Sequence, residues 1–574
     1  MRTDTTEFSQ YNNASSQEPV FVVEVAFDDA GADVIYLTSH AVDGLAGEVF
    51  EAVLTDISGT TQKINPDKAL SEIGALSFSA LDDDLTAKQR TKLNAGLGLR
   101  GKRARFYAGF QGLDWSTYTL VQTQIIRSAS YKDLVYSWKC SDIQREMRKE
   151  VFEVKSTALA KTLEPGDTEV EVYSTDGFKT VKQPPSPSGK TDAPGQRVGY
   201  IILEGDDRKE IIRYTGATST KFTGCTRGVL GTRPIRVEKS DDEGADNAPK
   251  VEEYVYLEMP APMLAYAILT GSIYGEPGET LPDHWHLGIK PQYIRTADYA
   301  GIGEDLWDLN NPDNGLAARI AGVTDEDGKQ FVEEELFLLM GCYAPIYSNG
   351  EIGLRRMTGV LSGASSNRTL NRENITGYGS LEHDMSAIIN RMVIAWNWVD
   401  QREEYTRTNL LIDQFSIDTH GDADLKQLEF RALHGSRHSY NTLRSRFDAL
   451  RDRYAGPPLR LSLDLMPDQN DLEVGDIVRV TLDEVEDYTG EVTGIDRAFE
   501  VQQVKVNWKT GAVSVELFGS SQKAEPLPPA QEGAARRASL SRAVQTAWSD
   551  CSDTESDDPR ASAAGVCRFW PPHK

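Results

Sequence analysis

Cysteine is scarce in this chain: Cys140, Cys225, Cys342, Cys551 and Cys567 are the five among 574 residues. The count is odd, the spacings are wide and no C-x-x-C occurs, which argues against a disulfide framework and against a thiolate metal site. Buried, inert thiols are the expectation for the first three, in a chain assembled in a reducing cytoplasm. Long apolar runs are missing as well. Nothing approaches the ~18 consecutive apolar residues of a membrane-spanning helix. The opening MRTDTTEFSQYNNASSQEP lacks the apolar core of a secretory signal and reads as a polar arm over residues 1–19. Positive charge is outnumbered, with 61 Lys+Arg against 88 Asp+Glu and a net charge of −27. A surface of that sign repels phosphate backbones and disfavours specific nucleic-acid binding. It is compatible with DNA passing by without sticking, and equally with adaptation to high salt.

What is present suits a large, multidomain globular protein. Hydrophobic residues make up 39% and charged residues 26%, with a mean hydropathy of −0.44. A chain of this length can bury several cores.

The motifs that normally carry chemistry fail on inspection. Gly96-Leu-Gly-Leu-Arg-Gly-Lys-Arg matches G-x-G-x-x-G, but a dinucleotide site needs a strand before the glycines and a helix after them. Here Leu85–Asn94 upstream is rich in helix formers, and Lys102–Phe110 downstream has the aromatics of a strand. Gly96 is therefore expected as a left-handed helix C′ residue. Gly189-Lys190-Thr191 lacks the earlier phosphate-loop glycine, which is Pro184, and Pro185 and Pro187 remove N–H donors. The stretch Val323–Glu334 places Asp325, Asp327, Gly328 and Glu334 as a calcium loop would. Val323 at the first ligand position offers no side-chain oxygen, so a turn capping the next helix is expected. His284-Trp-His286 could put two imidazoles on one face of a strand, but no third ligand is placed and an exposed loop is expected. His434 and His438 lack the glutamate of H-E-x-x-H. There is no G-x-S-x-G elbow, and Asp82-Asp83-Asp84 reads as a solvated turn. No catalytic residue, metal ligand or cofactor is expected.

Along the chain, residues 20–155 are β-rich. Phe21–Phe27 and Val34–Thr38 form an expected hairpin, followed by strands at Ala75–Ala80, Arg103–Phe110, Tyr118–Ser128 and Val135–Cys140. Asp142 is a plausible cap for a helix to Glu150. Residues 156–250 form a small β module ending in an acidic linker. Residues 251–375 are mixed α/β, with helices at Met263–Ser272 and Phe331–Met340 and a hairpin at Asn349-Gly350. A second β-rich region spans 376–519, interrupted by a helix near Tyr440–Tyr454 whose Leu443, Phe447, Leu450 and Tyr454 share one face. The tail, 520–574, begins with a Pro-rich linker. It carries a possible helix with Leu540, Val544 and Trp548 in one apolar stripe, then Phe569 and Trp570 near its end. These five are the candidate partner-docking residues.

Three stretches in order resemble a family. Gln62-Lys-Ile-Asn-Pro-Asp followed by Ser71-Glu-Ile-Gly-Ala-Leu-Ser-Phe looks like the N-terminal domain of long-tailed phage tail-tip proteins. Glu210-Ile-Ile-Arg-Tyr-Thr-Gly with Phe222-Thr-Gly-Cys-Thr-Arg-Gly-Val-Leu-Gly-Thr is similar to a small β module common in those proteins. Leu472–Thr481, Phe499–Val504 and Thr510–Leu517 look like the closing barrel of baseplate hub proteins. The resemblance covers roughly residues 20 to 520 and implies a mainly β fold: two β-barrel-like hub domains, an inserted small β module, an α/β middle region and a C-terminal extension. It implies a virion structural protein, a trimeric hub of a non-contractile (siphophage) tail tip that adapts a sixfold tube to a threefold tip. The implied partners are copies of itself, distal tail and tail-tube ring proteins, the tape-measure C-terminus, and tail fibre or central tip proteins. Some relatives hold an iron–sulfur cluster on clustered cysteines, and the scattered cysteines here depart from that pattern. A ring of this kind would turn carboxylates toward DNA passing through its lumen. The competing expectations are a distal ring or fibre-attachment protein of the same baseplate, which sixfold symmetry would mark, and a tail-borne glycan or peptidoglycan hydrolase. The latter would need a cleft with two carboxylates about 5–10 Å apart.

Overall fold

The computed structural model describes residues 2, 4–13, 18–183, 195–205, 208–239, 249–306, 317–361, 363–399, 402–434, 439–485 and 494–520. It is mainly β, with helices concentrated in the middle of the chain. An eight-stranded sheet runs in the order Val49–Phe50, Val34–Thr38, Pro19–Ala26, Arg103–Phe110, Thr119–Lys132, Val135–Ser141, Ser77–Leu81, Leu54–Ile57. The expected first hairpin forms, with Ala26 opposite Val34 and Val22 opposite Thr38. Its first strand is buried almost continuously from Val22 to Phe27, so both faces are covered. The helix Leu85–Asn94 ends at Ala95, and Gly96 follows with φ of 78°. Helix precedes strand here, so the glycines are punctuation and not a phosphate cradle.

The first sheet is not self-contained. Strand Thr60–Asn65 leaves it and pairs antiparallel with Ile495–Asn507, Lys63 opposite Gln503 and Thr60 opposite Val506. The Trp508 indole N–H donates to Thr60 Oγ1 at 3.0 Å. One hydrophobic core consequently runs from Phe8 through the first sheet to Leu517. The receiving sheet is ordered Arg368–Leu370, Ile477–Leu482, Ile495–Asn507, Ala512–Gly519, Leu459–Leu465, Ile375–Tyr378. In Leu459–Leu465 the leucines are buried while Arg460, Ser462 and Asp464 are exposed, the period-2 pattern of a sheet with one wet face. Helix Ser439–Tyr454 buries Leu443, Phe447, Leu450 and Tyr454, as their spacing predicts.

The small β module is built on Arg197–Glu204, between Lys209–Tyr214 and Lys250–Glu253. Its motif residues meet in one buried ion pair. Glu210 accepts from Arg227 Nε at 2.7 Å and Nη2 at 2.6 Å, and from the backbone N–H groups of Gly228 and Ile235, both at 2.9 Å. All the carboxylate lone pairs that matter are thus matched, which makes a fully buried charge tolerable.

In the middle region, helix Ala261–Thr270 starts two residues before the expected position, with Pro262 in its first turn, and stops at Gly271 in the left-handed conformation. The helix expected at Asp142–Glu150 is a 3₁₀ turn, Ile143–Met147, capped by Asp142 through the Arg145 N–H at 3.1 Å. It ends early because Glu150–Val151 is taken into a pairing with Glu326–Asp327. The helix at Phe331–Met340 contains a π-helical segment, Val332–Phe337. At Asn349-Gly350 the chain reverses, bridging Ile346 to Ile352, with Gly350 at φ of 84°.

Candidate functional site

Leu540, Val544, Trp548, Phe569 and Trp570 lie outside the described residues, as do Cys551, Cys567, Gly189–Thr191 and His438. Among the described residues no group of three or more His, Cys, Asp or Glu side chains converges as a metal site. Cys140, Cys225 and Cys342 are buried thiols, none of them in a disulfide. Burial pushes Cys140 up to about 12 and Cys225 up to about 11, so neither is a nucleophile at neutral pH. In the calcium-like stretch, Asp327 accepts from the Gln330 N–H at 2.9 Å and caps the following helix, as expected.

The His284-Trp-His286 stretch differs from the exposed loop read in the sequence. Trp285 is buried, and the side chains of His284 and His286 are only 12% and 15% exposed. His284 Nε2 lies 2.5 Å from Glu253 Oε2, which ties this turn to the last strand of the small module. Burial, with Lys149 nearby, holds His286 below the usual imidazole range. A side chain on Gly271 would meet the His286 ring at 2.6 Å, so that cap needs glycine for space as well as for its backbone. Nothing in the sequence pattern signals these contacts, because the partners come from three distant segments.

A second buried group sits on the π-helical turn. Glu333 is 4% exposed, and its nearest counter-charge is Lys329 at 3.6 Å. Burial raises its pKa to about 7, against the opposing pull of Lys329. The folded protein therefore keeps this proton over a window, from about 4.5 to 7, in which the unfolded chain has lost it. Stability falls as pH rises through that window. Glu333→Gln is expected to flatten this slope, gaining about 2–3 kcal/mol at pH 8 and almost nothing at pH 4. Urea titrations at the two pH values check it, and equal effects at both would contradict the assignment.

The feature best suited to contact with another molecule is a groove on the seam between the two β regions. Phe8, Phe21, Phe110, Pro467 and Trp508 line it, with Lys509, Thr510 and Gly511 on its rim, and it encloses about 180 Å³. Each wall has a local cause. The stretch read as a polar arm holds a helix, Thr6–Asn12, capped by Thr5, that buries Phe8 against Phe110 at 5.1 Å between ring centroids. Asn12 fixes that helix to the far region, its Oδ1 accepting from Asn470 Nδ2 at 2.9 Å. Arg2 lies over the Trp508 ring at 5.6 Å, and Phe106 meets Trp508 edge-on at 5.7 Å. Gly109 lets the strand pass the Tyr118 ring, which an added Cβ would meet at 2.4 Å. The groove has no charged centre and no converging acid pair. Asn12, Asn470, Thr510 and Lys509 line it beside the rings, so it presents polar as well as apolar groups.

No family model and no curated protein matches this chain. Among solved structures, a tail protein from Neisseria meningitidis is 11% identical with a TM-score of 0.36, over 89% of this chain and 100% of that one. A prophage tail protein from Listeria monocytogenes is 9% identical with a TM-score of 0.36, over 88% of this chain and 96% of that one. A 43 kDa prophage tail protein from Shewanella oneidensis is 8% identical with a TM-score of 0.35, over 88% and 99%. These are remote likenesses.

Proposed function

We propose that this chain is a non-catalytic structural protein of a phage virion, the trimeric hub of a long non-contractile tail tip. In that role it joins the sixfold tube and distal ring to threefold tip or fibre proteins around the DNA channel. One observation carries the reading. Gln62 and Lys63, in the stretch that resembles tail-tip N-terminal domains, pair with Val504 and Gln503, in the stretch that resembles the closing barrel of hub proteins. Two resemblances at opposite ends of the chain are therefore one physical object, a double β body built around a shared core. The motif of the small module supports the same reading, since Glu210 and Arg227 serve only its own packing. The net charge of −27 suits a lumen that lets DNA slide without holding it.

Native mass spectrometry of the purified full chain tests the proposal. Three copies support the hub, and six point to a distal ring instead. A single copy that also digests purified cell wall would overturn the structural role.

A further inference from the structure

Three exposed apolar side chains lie where the last strand ends. Gly519, next to the final described residue, pairs with Leu459, and Leu459 pairs on its other side with His383. The chain therefore leaves the sheet two strand spacings, about 10 Å, from the segment that carries Met385. Met385 is 64% exposed, and its neighbour Asp384 donates its N–H to the Pro458 carbonyl at 3.0 Å. Phe415, 44% exposed, is held to the same stretch, because Ser416 Oγ donates to the Ala455 carbonyl at 2.5 Å. Leu425, 39% exposed, follows Ala423, whose N–H donates to Asn390 Oδ1 at 3.2 Å, while the Asp413 N–H donates to the Asn390 carbonyl at 2.8 Å. Apolar residues scattered singly on a surface need no explanation, but three tethered around one turn of chain mark a face that another element covers. Its charge is acidic. Asp384 and Asp422 are paired with Arg460 at 3.6 Å and Arg391 at 3.5 Å, which leaves, among the described residues of this face, the exposed Glu382, Asp418 and Asp424 against Lys426.

We propose that the tail of the same chain folds back onto this face, with Leu540, Val544 and Trp548 on Met385 and Phe415 and with Arg536 and Arg537 against the acids. The tail carries the matching chemistry. Between Glu532 and Asp550 there is no acid, and the charges are Arg536, Arg537 and Arg542. On the helix expected over Ala534–Trp548, Arg536 and Arg537 precede Leu540 by four and three residues, so they share the face of the apolar stripe. The place where the strand ends supplies the reach. Residues 521–533 are thirteen, three of them proline, and extend roughly 40 Å, well beyond the span from Gly519 to Met385. A tether that short keeps the segment at a local concentration on the order of millimolar, so a face of modest size suffices. Opposite charges at its edge set which way the helix lies. The contact is made within one chain, so it holds whatever the number of copies in the assembly.

Hydrogen–deuterium exchange and cross-linking on the full chain test it. In the wild type the amides of residues 382–387 and 414–425 exchange slowly. Leu540→Asp combined with Trp548→Asp speeds them roughly tenfold or more and leaves the strand Leu459–Leu465 unchanged, which separates a lost cover from a lost fold. Arg536→Glu combined with Arg537→Glu does the same, and adding Asp418→Lys and Asp424→Lys restores part of the protection. Met385→Cys places a thiol opposite the natural Cys551, three residues past Trp548, and a short bis-maleimide joins the two within one chain. Exchange unmoved by the tail variants overturns the contact. A cross-linked product of twice the chain mass assigns the tail to a neighbouring copy and overturns it as well.

Discussion

Replacing Arg227 with methionine is expected to destabilise the small β module by about 3–5 kcal/mol, the cost of stranding a buried charge. Glu210 has no exposed side-chain surface, and after the substitution only the Gly228 and Ile235 N–H groups would face it. Limited proteolysis should then cut within residues 156–250 at a temperature where the wild type resists. The double variant Arg227→Met, Glu210→Met should recover much of the loss, since removing both charges leaves nothing unmatched. If Arg227→Met alone stays within about 1 kcal/mol of the wild type, the pair is not the module's keystone.

A change of similar size is expected from Arg453→Met. The Arg453 guanidinium is fully buried, donates to Glu500 at 2.7 Å and to the Thr358 carbonyl at 2.8 Å, and lies 4.2 Å from the centre of the Phe518 ring. Methionine can fill the space, but Glu500 would be left as an uncompensated charge in the interior, again about 3–5 kcal/mol. Lysine should not rescue it, because one ammonium cannot serve both acceptors and lie flat on the ring. The midpoint of urea unfolding measures the loss. Because Glu500 belongs to the strand that receives Thr60–Asn65, the effect should spread to the first β region, and both regions should unfold together.

The parts of the fold that were legible are those where neighbours in sequence settle the outcome. Leu459–Leu465 alternates, Leu443 to Tyr454 recur on one helix face, and Gly96 stands between a helix former and a strand former. Pattern reading failed where a polar residue is buried by partners far along the chain. Arg446, Arg451 and Arg453 lie on the same helix as the apolar face and are all buried, although a pattern assigns arginine to water. Local spacing leaves His284 exposed, because its partner Glu253 is thirty-one residues away. The turn at Asp133-Leu134 carries no glycine to announce its left-handed backbone, so the exposed Leu134 had no signature. The groove had none either, since Phe8, Phe110 and Trp508 come from three distant segments of the chain.

That crossing also sets the timetable of synthesis. Thr60 and Trp508 are 448 residues apart, so during translation the earlier strand waits on the order of half a minute for its mate to leave the ribosome. Until then the nascent amino-terminal half presents a bare β edge and an unfinished interior. A chaperone that holds such edges would raise the yield of this protein, and a ribosome pausing late in the message would lower it.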